Sequence, residues 1–134
     1  MPKKGNIVDR FILRRNKLFQ VYHKHSFDVT LDMIKKWKIN KQWKNGFIGE
    51  LVFYDAYRDK LKLAPIEVAK ADFHGFEKKK ETFYQVTTSL AYKDPNDFLD
   101  FVKRGKNYTI VLVDPKNFDM EFRPLILPIC KECG

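Results

Sequence analysis

The stretch Val68-Ala-Lys-Ala-Asp72-Phe-His-Gly-Phe76, followed after a run of lysines by Phe83-Tyr-Gln85-Val-Thr87-Thr-Ser89, is the most informative part of this sequence. Both segments are rich in aromatic and β-branched residues, and the charged residues between them predict a turn, so together they predict a β-hairpin. Each strand also carries polar residues where a core strand would be apolar. The hairpin is therefore predicted to be either part of a functional site or an ordinary solvated face of a sheet.

The composition is that of a folded and strongly basic protein. A chain of 134 residues, 44% hydrophobic and 32% charged, can bury a core as one domain and is unlike a disordered chain. Lys and Arg number 26 against 17 Asp and Glu, which gives a formal net charge of +9. This charge favours a polyanionic partner, nucleic acid before an anionic membrane, although lysine-rich surfaces also serve solubility alone.

Two features of the sequence concern the location of the protein in the cell. No segment is apolar for long enough to cross a bilayer, and the basic N-terminus is not followed by the apolar core of a signal peptide. We therefore expect a cytoplasmic (intracellular) protein with no membrane partner.

The two cysteines, Cys130 and Cys133, lie at the C-terminal end and provide half of the four ligands that a structural zinc ion needs. His23 and His25, or a second subunit, could complete such a site. Two free thiols on a C-terminal tail are the favoured interpretation because half of the ligand set is missing, so we expect no zinc ion there.

The N-terminal part of the chain is predicted to contain a hairpin and two helices before the opening hairpin. Arg14-Arg15-Asn16-Lys17 reads as a basic turn between two short apolar segments. Apolar residues at helical spacing follow it, and Pro65 ends the second helix. The predicted elements are a hairpin over Ile7–Tyr22, helices over Phe27–Ile39 and Phe47–Leu63, and strands over Ile66–Phe73 and Thr82–Ser89.

The C-terminal part adds a helix and two strands. Asp94 and Pro95 suit the N-cap and the first position of a helix, and Gly105 suits the position after its C-terminus. Tyr108–Val113 is a continuous apolar run typical of a strand buried on both faces, and Phe122–Ile129 is predicted as an edge strand. The order helix, strand, strand, helix, strand, strand predicts an α/β protein.

Acidic and polar side chains of the helix and the hairpin are predicted to converge. Glu50 lies on the flank of the apolar stripe of its helix, so it can reach the sheet that the helix covers. Asp72 lies near Gln85 and Thr87 in any plausible register of the hairpin. Because a buried carboxylate needs a partner or a cation, Glu50, Asp72 and the carbonyl oxygen of Gln85 could hold Mg²⁺ or Mn²⁺. Alternatively, Glu50 pairs with a lysine and Asp72 binds local backbone amides.

These residues resemble the PD-(D/E)XK nuclease superfamily, which has the restriction-endonuclease-like fold. Gly49-Glu50 lies in a helix, Asp72 at a strand end, and Gln85-Val86-Thr87 in the next strand, with a helix and an apolar strand after them. The resemblance covers residues 46–113. It implies an α/β fold whose central mixed sheet is flanked by helices, in the order α-β-β-α-β. We then expect a single domain, with an N-terminal hairpin and helix (1–44), a nuclease-like core (45–129) and a short cysteine-containing tail (130–134).

The resemblance further implies a metal-dependent nuclease that hydrolyses phosphodiester bonds of DNA and uses Mg²⁺ or Mn²⁺. Glu50 and Asp72 would be the metal ligands, and Gln85 would take the position of the acidic or glutamine residue before the family's lysine. That lysine falls on Thr87, which cannot supply an ammonium charge to the reacting phosphate. Lys70, two residues before Asp72, is the substitute that we expect to complete the catalytic residues. Many nucleases of this fold act as dimers, so the resemblance also implies a homodimer.

Two alternatives stay open. Thr87 at the lysine position favours a catalytically inactive nucleic-acid-binding protein of the same fold. A structural or partner-binding module whose basic surface serves solubility is a third class. In both nucleic-acid interpretations, phosphates are expected to contact basic residues beside the site, namely Lys78, Lys79, Lys80, Arg14 and Arg15.

Overall fold

The N-terminal third of the protein is helical. A computed structural model of the chain describes residues 7–68, 71–89 and 103–125. Helix α1 spans Ile7–Lys24, α2 spans Phe27–Lys36 and α3 spans Lys41–Tyr57.

Helix α1 replaces the hairpin that was predicted over Ile7–Tyr22, so that prediction is wrong. The basic segment that reads as a turn, residues 14–17, continues the helix without a break. One face of α1 is buried, and it carries Phe11, Arg15, Leu18 and Tyr22 at spacings of four and three residues. An arginine within this stripe interrupts the apolar pattern, which is why the helical period is hard to see in the sequence.

Side-chain caps determine where α2 and α3 begin. The Ser26 hydroxyl accepts a hydrogen bond from the N–H of Val29 over 3.2 Å. The side-chain oxygen of Asn40 accepts one from the N–H of Trp43 over 2.8 Å. Each cap satisfies a backbone donor that the first turn of a helix leaves unpaired. Helix α2 confirms the helix predicted from Phe27. Helix α3 begins and ends earlier than predicted, and Gly46 lies inside it rather than before it.

The strands of the described residues form one mixed sheet in the order β1-β2-β3-β4-β5. Strands β1, β2 and β3 are antiparallel neighbours, β4 is parallel to β3, and β5 is antiparallel to β4. The predicted α/β class is therefore confirmed. The strands are β1 (Ala64–Val68), β2 (Ala71–Glu77), β3 (Lys80–Thr87), β4 (Asn107–Val113) and β5 (Met120–Leu125).

The strand predicted over Ile66–Phe73 is divided between β1 and β2, which corrects the prediction. The pairing of these two strands shifts register between Pro65 and Val68, and residues 69 and 70 lie outside the described part of the chain. The opening hairpin is formed by β2 and β3. Glu77 pairs with Lys80, so Lys78 and Lys79 alone form its turn.

The C-terminal strands agree with their predictions as far as they are described. Strand β4 confirms the buried strand predicted over Tyr108–Val113, and β5 begins the predicted last strand, with Pro124 on a sheet edge. Most of the helix predicted from Asp94, the end of the last strand and both cysteines lie outside the described residues. Gly105, predicted to follow that helix, has a φ angle of +75°, the left-handed conformation common just after a helix end.

Helices α1 and α3 pack on one face of the sheet, and α2 packs against both of these helices. Phe47, Leu51 and Phe53 of α3 belong to one buried cluster with Phe73 of β2 and Tyr84 of β3. The opposite face has a smaller buried cluster of Ala71, Tyr108 and Ile110. The residues of α3 from 47 to 54 are all buried, so Glu50 is held between the helix and the sheet. In the described residues, no helix has the length and apolar character needed to cross a membrane.

Candidate functional site

The site is built where β2 begins, beside the carboxyl end of β3. Phe73 pairs with Tyr84, so Asp72 lies beside Gln85, as the sequence predicts. The backbone N–H of Val86 donates to Oδ2 of Asp72 over 2.9 Å. The Asp72 carboxylate is thus held against the neighbouring strand, and it lies where α3 brings Glu50 over the sheet.

Arg15 of α1 binds both parts of this site. Its Nε donates to Oε1 of Glu50 over 2.5 Å, and its Nη1 donates to the carbonyl oxygen of Ile66 over 2.7 Å. Its Nη2 donates to the carbonyl oxygen of Asp72. The guanidinium also lies over the rings of Phe19 and Phe73, with centroid distances of 5.3 and 5.2 Å. One buried cation therefore connects α1, α3 and the junction of β1 with β2.

The charges of the site are unbalanced. Glu50 is only 3% exposed. Burial, together with the negative charge of Asp72, raises the pKa of Glu50 to about 8, although Arg15 lowers it. The pKa of Tyr108 is also raised, by burial and by Asp72. The Glu50 carboxylate binds the guanidinium, and the Asp72 carboxylate adds a second negative charge nearby, so a proton on Glu50 relieves the excess negative charge up to about neutral pH.

The oxygen atoms of the site do not fit a divalent metal ion as they are arranged. A magnesium or manganese site needs several oxygen ligands around one open position. Here the carboxylate of Glu50 and the carbonyl oxygens of Ile66 and Asp72 already accept hydrogen bonds from Arg15. Within the described ranges, no group of three or more His, Cys, Asp and Glu side chains could hold a metal ion. Of the metal ligands that the resemblance implies, Glu50 thus binds the Arg15 guanidinium, and Oδ2 of Asp72 accepts the N–H of Val86.

Gln85 and Thr87 lie on the other face of the sheet from α3. Tyr84 and Val86 pack in the helix-covered cluster, and neighbouring residues of a strand point to opposite faces. The Thr87 hydroxyl is buried and donates to the carbonyl oxygen of Ser89 over 2.8 Å. Thr87 therefore stabilises the end of β3. Lys70, the expected substitute for the family's lysine, lies outside the described residues.

The structure separates the predicted basic residues from one another. Arg15 is 5% exposed, and its Nε, Nη1 and Nη2 each donate within the protein, whereas the predicted contact with phosphate requires an exposed guanidinium. The guanidinium of Arg14 lies over the Trp37 ring, 5.2 Å from its centroid. Lys78, Lys79 and Lys80 lie at the far end of the hairpin, about 20 Å from Asp72 at about 3.3 Å per strand residue. They are therefore not beside the acidic site.

A cavity of about 330 Å³ lies along the carboxyl end of β3. Val86, whose N–H binds Asp72, is one of its lining residues, and Trp43 of α3 is another. Trp43 packs edge-on against Phe11 with ring centroids 5.6 Å apart. The rings of Phe11 from α1 and Trp43 from α3 thus line one side of this cavity.

Comparisons with known proteins add no assignment. No protein-family model matches the chain, and neither the search of curated proteins nor the search of solved structures found a match.

Proposed function

We propose that this protein binds nucleic acid on a restriction-endonuclease-like scaffold, and that Arg15 replaces the divalent ion of an active nuclease. The observation that carries the proposal is the buried guanidinium that Glu50 and the carbonyl oxygens of Ile66 and Asp72 share. It supplies positive charge to the Glu50 carboxyl group and to the main chain at Asp72, the two residues that the resemblance implies as metal ligands.

The order of the elements supports the scaffold. Helix α3 is followed by an antiparallel sheet of three strands and then by β4, which is parallel to β3. A parallel neighbour requires a crossover connection, and a helix that begins at Asp94 and ends before Gly105 is predicted within that connection. This agrees with the central mixed sheet that the resemblance implies, whereas the order differs from α-β-β-α-β by one additional strand, β1.

The net charge supports a nucleic-acid partner. Lys and Arg exceed Asp and Glu by nine, and because Arg15 and Glu50 are both buried, leaving these two residues out of the count does not change that excess. Most of the excess positive charge therefore lies where phosphates can reach it. DNA is the partner that the resemblance implies.

A metal-dependent nuclease is the second candidate function, and the convergence of Glu50 with Asp72 favours it. The negative charge of Asp72 contributes to the raised pKa of Glu50, so the two acids are near enough for their charges to interact. For this candidate, Arg15 must leave Glu50 when an ion binds, and a lysine other than residue 87 must reach the phosphate. Lys70 is the residue that we propose for that role.

Binding and cleavage assays distinguish the two candidates. Fluorescence anisotropy would measure affinity for labelled single-stranded, duplex and branched DNA between about 50 and 200 mM salt. Cleavage of the same DNA and of supercoiled plasmid would be followed with Mg²⁺, Mn²⁺ or EDTA. We expect salt-sensitive binding and no metal-dependent cleavage.

The matched control is Asp72→Asn, which keeps an oxygen to accept the Val86 N–H. Metal-dependent cleavage by the wild type that this substitution abolishes would establish the second candidate. Cleavage that persists in the variant would come from a contaminant. A wild-type protein that binds no nucleic acid at low salt would contradict both candidates.

A further inference from the structure

A second charged surface lies at the turn of the β2–β3 hairpin. We call it the lysine face: Lys60, Lys62, Lys78 and Lys79 line a cavity of about 420 Å³ together with Phe76. All five residues are exposed, and Phe76 is one of the few large apolar side chains of the described residues that water reaches. The lysine face is about 20 Å along β2 from Asp72, so it is separate from the acidic site.

The backbone holds the two lysine pairs of this face together. The N–H of Phe76 donates to the carbonyl oxygen of Leu61 over 2.7 Å, which fixes the segment after α3 against β2. Gly75 permits this approach, because a Cβ atom there would lie 2.6 Å from the same oxygen. Lys60 and Lys62 are therefore brought beside Lys78 and Lys79 by main-chain contacts rather than by their own flexible side chains.

The lysines occupy strained backbone positions. Lys62, Lys78 and Lys79 have φ angles of +50°, +49° and +69°. The left-handed conformation costs about 1–2 kcal/mol for a residue with a Cβ atom. A two-residue hairpin turn with both φ angles positive favours Asn-Gly strongly. Lysines at both turn positions thus lower the stability of the turn. Residues with such strained backbone conformations concentrate at functional sites.

The chemistry of the lysine face fits one class of ligand. Ammonium groups bind backbone phosphates, and an exposed aromatic ring stacks on a base that is not paired. We propose that the lysine face binds single-stranded nucleic acid, with the four lysines on successive phosphates and Phe76 stacked on a base. This inference rests on the proposed nucleic-acid binding and names its surface and strand type.

The decisive variant is Lys78→Asn combined with Lys79→Gly, because it removes two charges and also relieves the turn. We expect its melting temperature to rise while its affinity for a labelled oligothymidylate falls at least tenfold. The slope of log affinity against log salt should become shallower by about 1.4, since each phosphate contact to a single strand contributes about 0.7. Opposite changes in stability and affinity cannot result from partial unfolding.

Two further variants test the inference without changing the hairpin turn. Lys60→Gln with Lys62→Gln removes the other two charges and should weaken binding similarly, and Phe76→Ala should weaken it about tenfold without changing the salt slope. The control is Lys35→Gln with Lys38→Gln, which removes two exposed charges near the opposite end of α3. It should retain most of the wild-type affinity.

Several results would overturn the inference. Equal losses in the lysine-face and control variants would mean that affinity follows net charge alone. Equal affinity for duplex and single strand, with no effect of Phe76→Ala, would rule out stacking. Binding to phosphatidylserine vesicles but not to the oligonucleotide would assign the face to a membrane. A wild type that binds other nucleic acids, with unchanged affinity in the turn variant, would contradict this inference but leave the proposed function intact.

Discussion

Nε of Arg15 lies 2.5 Å from Oε1 of Glu50, and the two side chains are only 6% and 4% exposed. The pair joins α1 to α3, and the other donors of Arg15 join α1 to β1 and β2. Residues that are 35, 51 and 57 positions away in the chain thus meet at one guanidinium. The stability of the domain should therefore depend strongly on this single side chain.

We predict that at pH 9, where Glu50 is ionised, Arg15→Met and Glu50→Leu each lower the free energy of unfolding by about 3–5 kcal/mol, because each leaves a buried charged partner without its counter-charge. The double variant should cost less than the sum, because it removes both charges together. Urea denaturation of the four proteins gives this comparison.

The control for this cycle is Arg14→Met, one residue earlier in α1. The Arg14 guanidinium contacts the Trp37 ring and is only partly buried, so its removal should cost about 1 kcal/mol or less. Strictly additive effects of the Arg15 and Glu50 substitutions would contradict the view that these residues act as a pair.

The hairpin and its neighbourhood could be predicted from the sequence, because they follow from local patterns. Alternating residues and a charged turn identify β2 and β3, and an uninterrupted apolar run identifies β4. Any register near the observed one puts Asp72 beside Gln85. These features depend on residues close together in the chain.

The role of Arg15 could not be predicted, because it depends on contacts between distant parts of the chain. Four polar residues in a row, residues 14–17, are typical of a turn, whereas in α1 only Arg15 of the four is fully buried. An arginine on a buried face is favourable only when acceptors from other elements surround it. The useful signal was the apolar spacing of Phe11, Leu18 and Tyr22 around it, which fits a helix better than a hairpin.

Stability should depend on pH through Glu50. Its pKa is raised from 4.5 to about 8, so between these values the folded protein holds a proton that the unfolded chain has released. The stabilising contribution is complete below pH 4.5, decreases as pH rises through this window, and is lost above pH 8. The slope should reach about 1.4 kcal/mol per pH unit.

Glu50→Gln provides the comparison, because it is neutral at every pH and close to the protonated acid in shape. The difference in unfolding free energy between wild type and variant, measured in urea from pH 5 to pH 9, cancels the groups that both proteins share. Wild-type stability should fall relative to the variant as pH rises. A flat or rising difference would mean that Arg15 keeps Glu50 ionised throughout.

Substitution by alanine should have different effects on stability at Gly75 and at Gly49. A Cβ atom at Gly75 would lie 2.6 Å from the Leu61 carbonyl oxygen and 2.9 Å from Cδ2 of Leu63. Because a backbone atom must move, Gly75→Ala should cost about 1–3 kcal/mol. At Gly49 the nearest atoms would be 3.4 to 3.6 Å away, which is ordinary contact. Alanine also suits a helix better than glycine by about 1 kcal/mol, so Gly49→Ala should be neutral or stabilising.

Thermal unfolding followed by circular dichroism measures both substitutions under identical conditions. If the two alanine substitutions destabilise the protein equally, then a steric clash of the Cβ atom is not the reason that Gly75 is needed. A Gly75→Ala protein that is stable but binds oligonucleotide weakly would instead mean that the segment at Leu61 has moved away from β2.

Removing Arg15 should create a metal site. In Arg15→Ala, the oxygen atoms of Glu50, Ile66 and Asp72 lose their shared cation, and such oxygens are the ligands that Mn²⁺ and Mg²⁺ accept. We expect MnCl₂ to raise the melting temperature of this variant but not that of the wild type. A free Mn²⁺ concentration about 100-fold above the dissociation constant would add about 2.7 kcal/mol to its stability.

Three control proteins separate this effect from a general response to salt, each compared with NaCl at equal ionic strength. Arg15→Lys keeps a cation in place and should not respond to Mn²⁺, and Arg15→Ala with Glu50→Leu lacks the carboxylate and should not respond either. The third is Asp72→Asn in the otherwise unchanged protein. If the wild type is itself stabilised by Mn²⁺, and Asp72→Asn abolishes that effect, then the ion and the guanidinium coexist. In that case Arg15 does not replace the metal, and the nuclease becomes the better of the two candidate functions.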